Sequence, residues 1–390
     1  MEQTWRWFGP RDPIPLRHVV EAGATGIVTA LHQIPGGTAW TDEAVRERQA
    51  AIAAAGLVWS VVESIPVTNA IKARTTKWRD DVEAWKGSLR ALGRAGIRTV
   101  CYNFMPIVDW SRTDLAYPVR SGLALRFDLT DFVAYDVFAL KRPRAGDDYP
   151  RETVIAAEAR FGTMSPARQA ELERIILAGL PGSDFAYDRA TFLTLFKDFA
   201  GMTPDDLRAS LAEFHREVVP VAEEAGISLG IHPDDPPIPL FGMPRIVSTA
   251  SDVRAVIKAV DSPANGLTFC VGSLASRADN DLVAMVAEFA PRIQFAHLRN
   301  VTRETPGSFR ESEHLGGDAD MVAIIRGLLG EEARRRREDG GARDIPFRPD
   351  HGHLLAADPV QNANPGYSYV GRLKGLAEIR GVIAAAGAGT

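Results

Sequence analysis

Four apolar stretches of the 390-residue chain each end on a side chain that can bind a metal ion. Residues 227–233 ("ISLGIHP") deliver His232, and 266–272 ("GLTFCVG") deliver Cys270. Residues 293–300 ("IQFAHLRN") deliver His297, and 345–352 ("IPFRPDHG") deliver Asp350. Imidazole, thiolate and carboxylate form a plausible ligand set for Mn²⁺, Fe²⁺ or Zn²⁺. Each residue alone has an ordinary structural reading, since a strand cysteine commonly packs as a small hydrophobe. Their recurrence at one level of four successive stretches is what points to a metal site. The segment "LGIHPDDPP" (229–237) fits this reading, with His232 as ligand and "PDDPP" as the stiff turn beyond it.

Neighbouring residues extend the chemistry. Residues two apart on a strand share a face, so Arg299 is expected on the same side as His297, with a fork suited to a substrate carboxylate. The competing reading of Arg299 is a surface salt bridge. Arg348, two before Asp350, has the same pair of readings at a deeper level. His32, Glu63 and Asn103 close the second, third and fourth stretches, where each either hydrogen-bonds a polyhydroxy ligand or caps the following segment. His351 and His353 follow Asp350; His351 is a candidate base and His353 a candidate substrate contact. Tyr367, in "NANPGYSYVGR", is a candidate phenolic acid or a packing residue of the last helix. Segments 302–318 and 362–372 are candidate lids. No G-x-G-x-x-G, P-loop or G-x-S-x-G pattern occurs, so nucleotide-cofactor and serine-hydrolase chemistry lack support.

The elements that must position these residues follow from periodicity. Eight β-rich stretches occur at 4–8, 25–32, 58–64, 98–105, 227–233, 266–272, 293–300 and 345–352. Helical patterns lie at 41–56, 203–226, 251–260, 280–290, 320–338 and 371–387, and Ser251 is expected to cap the third of them. Alternating β and α units argue for a parallel sheet, and eight of them for a closed (β/α)8 barrel with chemistry at the C-terminal strand ends. The stretch 106–203 breaks the alternation. It is expected to be an insertion after the fourth strand, hanging over the barrel mouth, irregular except for a helix at 166–180, within one domain spanning 1–390.

Composition narrows the function classes. The chain is 45% hydrophobic and 24% charged with a net charge of -5, which favours neither nucleic acid nor an anionic membrane. The run Arg334 to Arg337 is flanked by acids and reads as the solvated end of a helix. No apolar run approaches the roughly 18 residues of a membrane span. No secretory signal is visible at the N-terminus, and only two cysteines occur, Cys101 and Cys270, which fits a reducing cytoplasm.

The stretches "RWFGPRDPI", "GIVTALHQIP", "WSVVESIPV", "CYNFMPIVDWSRTDLAY", "IHPDDPP", "FCVGS", "HLRNV", "RPDHGH" and "PGYSYVGRLKGLAEI" resemble the D-mannonate dehydratase family over nearly the whole chain. Residues 141–203 are the least diagnostic. The resemblance implies a xylose-isomerase-like TIM barrel acting as a hydro-lyase, converting D-mannonate to 2-keto-3-deoxy-D-gluconate and water. It implies a divalent metal, usually taken to be manganese, on His232, Cys270, His297 and Asp350, with Fe²⁺ left open by the ligand types. It implies acid–base roles for Asp350 and Tyr367. A homo-oligomer, dimer or higher, is the expected assembly.

The chemistry agrees with the residues. A proton must leave carbon two, alpha to a carboxylate, and hydroxide must leave carbon three. A cation offsets the developing charge, Arg299 adds to it, Asp350 or His351 takes the proton, and Tyr367 protonates the leaving group. A sugar isomerase on the same fold and a non-catalytic sugar-acid sensor are the competing readings. A metal-dependent endonuclease is disfavoured by the net charge.

Overall fold

The computed structural model describes residues 1–178, 188–338, 344–360 and 362–387. Residues 179 and 180 of the expected helix 166–180, and 181–187 of the insertion, lie outside the described residues. The short β-branched and apolar runs become strands because their side chains are buried on both faces, as parallel sheets require. In chain order the strands are β1 (Glu2–Arg6), β2 (Gly26–Thr29), β3 (Val58–Glu63), β4 (Thr99–Tyr102), β5 (Asp114–Val119), β6 (Gly122–Phe127), β7 (Ser228–Ile231), β8 (Asn265–Cys270), β9 (Ile293–His297), β10 (Asn300–Arg303), β11 (Phe309–Ser312) and β12 (Pro346–Arg348).

Eight of these close into a parallel barrel in the order β1-β12-β9-β8-β7-β4-β3-β2. All eight fall within the stretches expected from the sequence or one or two residues from them. Inside the barrel, Val28, Val61, Cys101 and Phe295 form a small apolar floor. Two residues further along, Glu63 ends β3 and His297 ends β9, so both are carried to the mouth on the same inward face, while Ala30 and Asn103 fall one residue past the ends of β2 and β4.

Helices wrap the barrel and are started by local chemistry. Thr41 caps Asp42–Ala53, and Thr203 forms a reciprocal capping box with Asp206 at the start of Pro204–Glu224. The expected cap Ser251 is corrected to Thr249. Its side chain accepts from Asp252 N while Asp252 returns a bond to the Thr249 backbone, so Ala250–Ala259 starts earlier than expected. Arg334, Arg335 and Arg336 pair with Glu331, Glu332, Glu338 and Asp344 around the end of Met321–Glu338.

Two expectations of irregular structure are also corrected. Segment 114–127 is a tight hairpin, β5–β6, and residues 300–312 form a second hairpin, β10–β11, which takes up the first part of segment 302–318 in place of an open polar loop. The hairpins join through β6 and β11 into an antiparallel sheet ordered β10-β11-β6-β5. Phe127 and Phe309 stack across that junction at 5.9 Å and give the two segments a shared core. A bridge from Leu123 to Leu354 ties the sheet to the chain beyond β12, on the C-terminal side of the barrel. Among the described residues no helix is long and apolar enough to cross a membrane.

Candidate active site

His232 lies one residue beyond β7, where its backbone N–H donates to Tyr102 O at 2.8 Å. Its Nδ1 lies 2.6 Å from the Pro233 carbonyl oxygen, an acceptor, so Nδ1 carries the proton and Nε2 is directed inward. There Nε2 is 3.2 Å from His297 Nδ1. Cys270 ends β8, and Ser273 Oγ donates to its Sγ at 3.1 Å. One donor atom from each of His232, Cys270 and His297 lies within 4.8 Å of the others.

Asp350 stands beside this trio, with Oδ2 3.8 Å from His297 Nδ1. Its φ of 62° is left-handed, a conformation uncommon outside glycine but one that aspartate tolerates better than most residues. Arg348 Nη1 pairs with Asp350 Oδ1, and Arg299 Nε lies 2.8 Å from Oδ2. Burial works against the charge on Asp350, but Arg348 outweighs it and holds the carboxyl well below its usual range. Burial likewise opposes a Cys270 thiolate. Arg299 and His232 outweigh it and hold the thiol well below its ordinary value. Burial disfavours charge on His232, and Cys270 overrides that, lifting the imidazole to about 9. Converging lone pairs and a thiolate, with only a proton between them, form a donor set suited to a borderline-soft divalent cation.

The sequence-derived candidates divide into groups. Tyr367 is brought to the site, with its hydroxyl 3.5 Å from Asp350 Oδ1, and burial pushes it up to about 12. His351 is also there, with Nε2 3.7 Å from Asp350 Oδ1 and Nδ1 3.0 Å from Glu311 Oε1. Glu63 faces His297 and is gripped by Arg348. Asn103 is half-buried just beyond β4.

Arg299 reaches the mouth, but its donors are taken by the protein's own acids rather than left open for a substrate. It bonds Glu311 at 2.9 and 3.1 Å, Asp235 at 2.5 Å and Ser273 at 3.0 Å. Both ring nitrogens of His353 are engaged, by Ser121 Oγ at 3.0 Å and Glu311 O at 3.3 Å. His32 sits to one side, where Arg6 Nη2 approaches its Nε2 at 3.4 Å. Burial and Arg6 hold that imidazole well below its usual range. A guanidinium only donates, so Nε2 of His32 accepts and Nδ1 carries the proton. A cavity of about 260 Å³ opens there, with Phe8, Arg11, His32, Gln33 and Arg48 among its walls.

Three residues were not singled out by sequence reasoning: Glu311, Arg112 and Asp235. Arg112 bridges Asp235, at 2.7 and 3.1 Å, to Glu311, at 2.9 Å. Glu311 therefore links the second sheet to both Arg299 and His351. The signal available in sequence was the alternation in "SFRES", which places Glu311 on the same face as Phe309.

A closed parallel barrel with metal-capable side chains at the C-terminal ends of successive strands is a xylose-isomerase-like TIM barrel with a candidate metal centre at its mouth. A xylose isomerase-like TIM barrel protein from Mycobacterium smegmatis, solved with magnesium, shares the fold at TM-score 0.50 and 17% identity, covering 99% of this chain and 97% of that one. The family model for D-mannonate dehydratase (UxuA) matches residues 1–389, and the chain belongs to that family. Mannonate dehydratase 2 of Agrobacterium fabrum is 56% identical over 384 residues, 98% of this chain and 96% of that protein. Mannonate dehydratase of Saccharophagus degradans is 51% identical over 98% of this chain and 97% of that protein. The crystal structure of mannonate dehydratase from Streptococcus suis serotype 2 superposes at TM-score 0.77 with 32% identity, covering 100% of this chain and 95% of that chain.

Proposed function

We propose that this chain is a metal-dependent hydro-lyase that converts D-mannonate to 2-keto-3-deoxy-D-gluconate and water. The observation that carries the reading is the full-length relationship to mannonate dehydratases, at 51–56% identity, in a chain that gathers His232, Cys270 and His297 at its barrel mouth. His232, Cys270, His297 and Asp350 would hold Mn²⁺, or Fe²⁺ in its place. A bound cation would offset the charge that grows on the substrate carboxylate as the C2 proton leaves.

The remaining work falls to side chains. Both oxygens of Asp350 are occupied by guanidinium groups, which makes it a poor proton acceptor and a good fixed anchor. His351 is the better base. Its Nδ1 donates to Glu311, which leaves the Nε2 lone pair facing the site, an arrangement that orients an imidazole for proton abstraction. Tyr367 keeps its proton at neutral pH and delivers it to the departing C3 hydroxyl. Arg299 acts by fixing Asp350, Glu311 and Cys270 in place. His32, Asn103 and the cavity beside β1 and β2 accommodate the hydroxyl-bearing tail of the acid.

The two buried free cysteines fit a reducing compartment, and we place the enzyme in the cytoplasm as a homo-oligomer, with segment 106–203 as the candidate interface. The deciding experiment strips the protein with a chelator, restores Mn²⁺, adds D-mannonate and assays the 2-keto-3-deoxy acid. Metal-dependent product is expected. Binding without product under any divalent metal would sink the enzymatic reading and leave a sugar-acid sensor.

A further inference from the structure

The two ring nitrogens of His297 face different kinds of group. Nδ1 is turned to the donor cluster, 3.2 Å from His232 Nε2. Nε2 is buried without a hydrogen-bond partner among the described residues, and a carboxylate oxygen, Glu63 Oε2, stands 3.6 Å from it. Glu63 ends β3 and is itself held rigidly. Arg348 Nε donates to its Oε2 at 3.1 Å and Arg348 Nη2 to its Oε1 at 2.8 Å, while Arg6 Nη1 lies 3.9 Å from Oε2. The same Arg348 pairs with Asp350 through Nη1. One guanidinium thus sets the relative position of Glu63 and Asp350 on either side of His297.

A histidine that gives one nitrogen to a cation carries its proton on the other, and the group receiving that proton fixes both tautomer and ring orientation. His232 has such a partner in the Pro233 carbonyl. We propose that Glu63 is the corresponding positioning residue for His297: it accepts a hydrogen bond from Nε2–H and keeps the Nδ1 lone pair turned toward His232 and Cys270. This rests on the metal reading given above. The 3.6 Å separation must close by roughly 0.4–0.8 Å to make this hydrogen bond, within the tightening that catalytic contacts undergo on forming a complex. A direct substrate role fits less well, because Oε1 is taken by Arg348 and Oε2 lies between Arg348 and His297.

The test uses the full-length enzyme and Mn²⁺ titration followed by the electron paramagnetic resonance of free Mn²⁺. Glu63→Gln is expected to raise the Mn²⁺ Kd about ten-fold or more, while KM for D-mannonate at saturating Mn²⁺ stays within about two-fold. Unchanged Mn²⁺ affinity overturns the proposal, and a raised KM alongside it would mark Glu63 as a substrate contact instead. A second measurement needs no variant. Long-range ¹H–¹⁵N spectra of the Zn²⁺-loaded wild type are expected to show the Nε2–H tautomer at His297, and the Nδ1–H tautomer overturns the proposal. Wild type that takes up no Mn²⁺ at all would bring down the metal reading and this inference together. That result is distinct from normal uptake with an indifferent variant.

Discussion

Asp350 and Tyr367 show how single residues are tuned. Asp350 is held in a left-handed backbone conformation between two guanidinium groups, so its carboxylate is fixed both in place and in charge. Tyr367 hangs over it with its ring edge-on to Phe8 at 4.9 Å and to His351 at 5.2 Å. Those ring contacts survive loss of the hydroxyl, so Tyr367→Phe separates chemistry from packing. Steady-state kinetics on that variant are expected to show kcat lower by about 10² to 10⁴ with KM little changed, the usual worth of a positioned acid. Full turnover would remove Tyr367 from the mechanism.

Elements act here through junctions. Strand β11 carries Glu311 into contact with Arg112, Arg299 and His351, and thereby fastens the second sheet to the barrel mouth. Glu311→Ala would leave two buried guanidinium groups without that carboxylate. A destabilisation of about 3–5 kcal/mol is expected in urea unfolding, the cost of breaking a buried ion pair from one side. An effect below about 1 kcal/mol would mean that the network is solvated and that the sheet docks by its apolar face alone.

The last helix, Tyr369–Gly387, makes a second junction. A Cβ at Gly371 would run into the His353 carbonyl oxygen, which is backbone and cannot swing away. Gly371→Ala is therefore expected to displace the segment joining Asp350 to Tyr367. Kinetics should show a lower kcat, and thermal unfolding a lower Tm. A variant with unaltered kcat would show that this docking does not position Tyr367.

At the scale of the whole molecule, the buried His215 links stability to pH. It sits within Pro204–Glu224, with Nε2 2.5 Å from the Tyr102 hydroxyl and Nδ1 lacking a partner among the described residues. Burial holds it neutral and lowers it to about 3, against 6.5 when exposed. The unfolded chain therefore takes up a proton below about pH 6.5 that the folded chain refuses. This contribution is complete above that pH and is lost toward pH 3, at up to ~1.4 kcal/mol per unit. Urea midpoints compared at about pH 7 and about pH 5 should fall further for wild type than for His215→Gln. Equal falls in the two proteins would refute the assignment.

Local patterning determined much of this protein. Short apolar runs with turn residues at their ends specify strands, and the alternation of strands with capped helices specifies a closed parallel barrel. The position of His232, Cys270, His297 and Asp350 at the C-terminal ends of successive β-rich stretches then points to one mouth without any coordinates. Tertiary structure decided what those rules cannot reach. A hairpin such as β5–β6 is stabilised by pairing with β11, nearly two hundred residues away, so its sequence alone reads as irregular. Arg299, two residues past the end of β9, reaches the mouth as expected, yet its role depends on acids contributed by other segments, Asp235 and Glu311. Periodicity gives the direction of a side chain. Only the packed molecule decides which charge is waiting at its end, because an ion pair is set by distance in space and not by spacing along the chain.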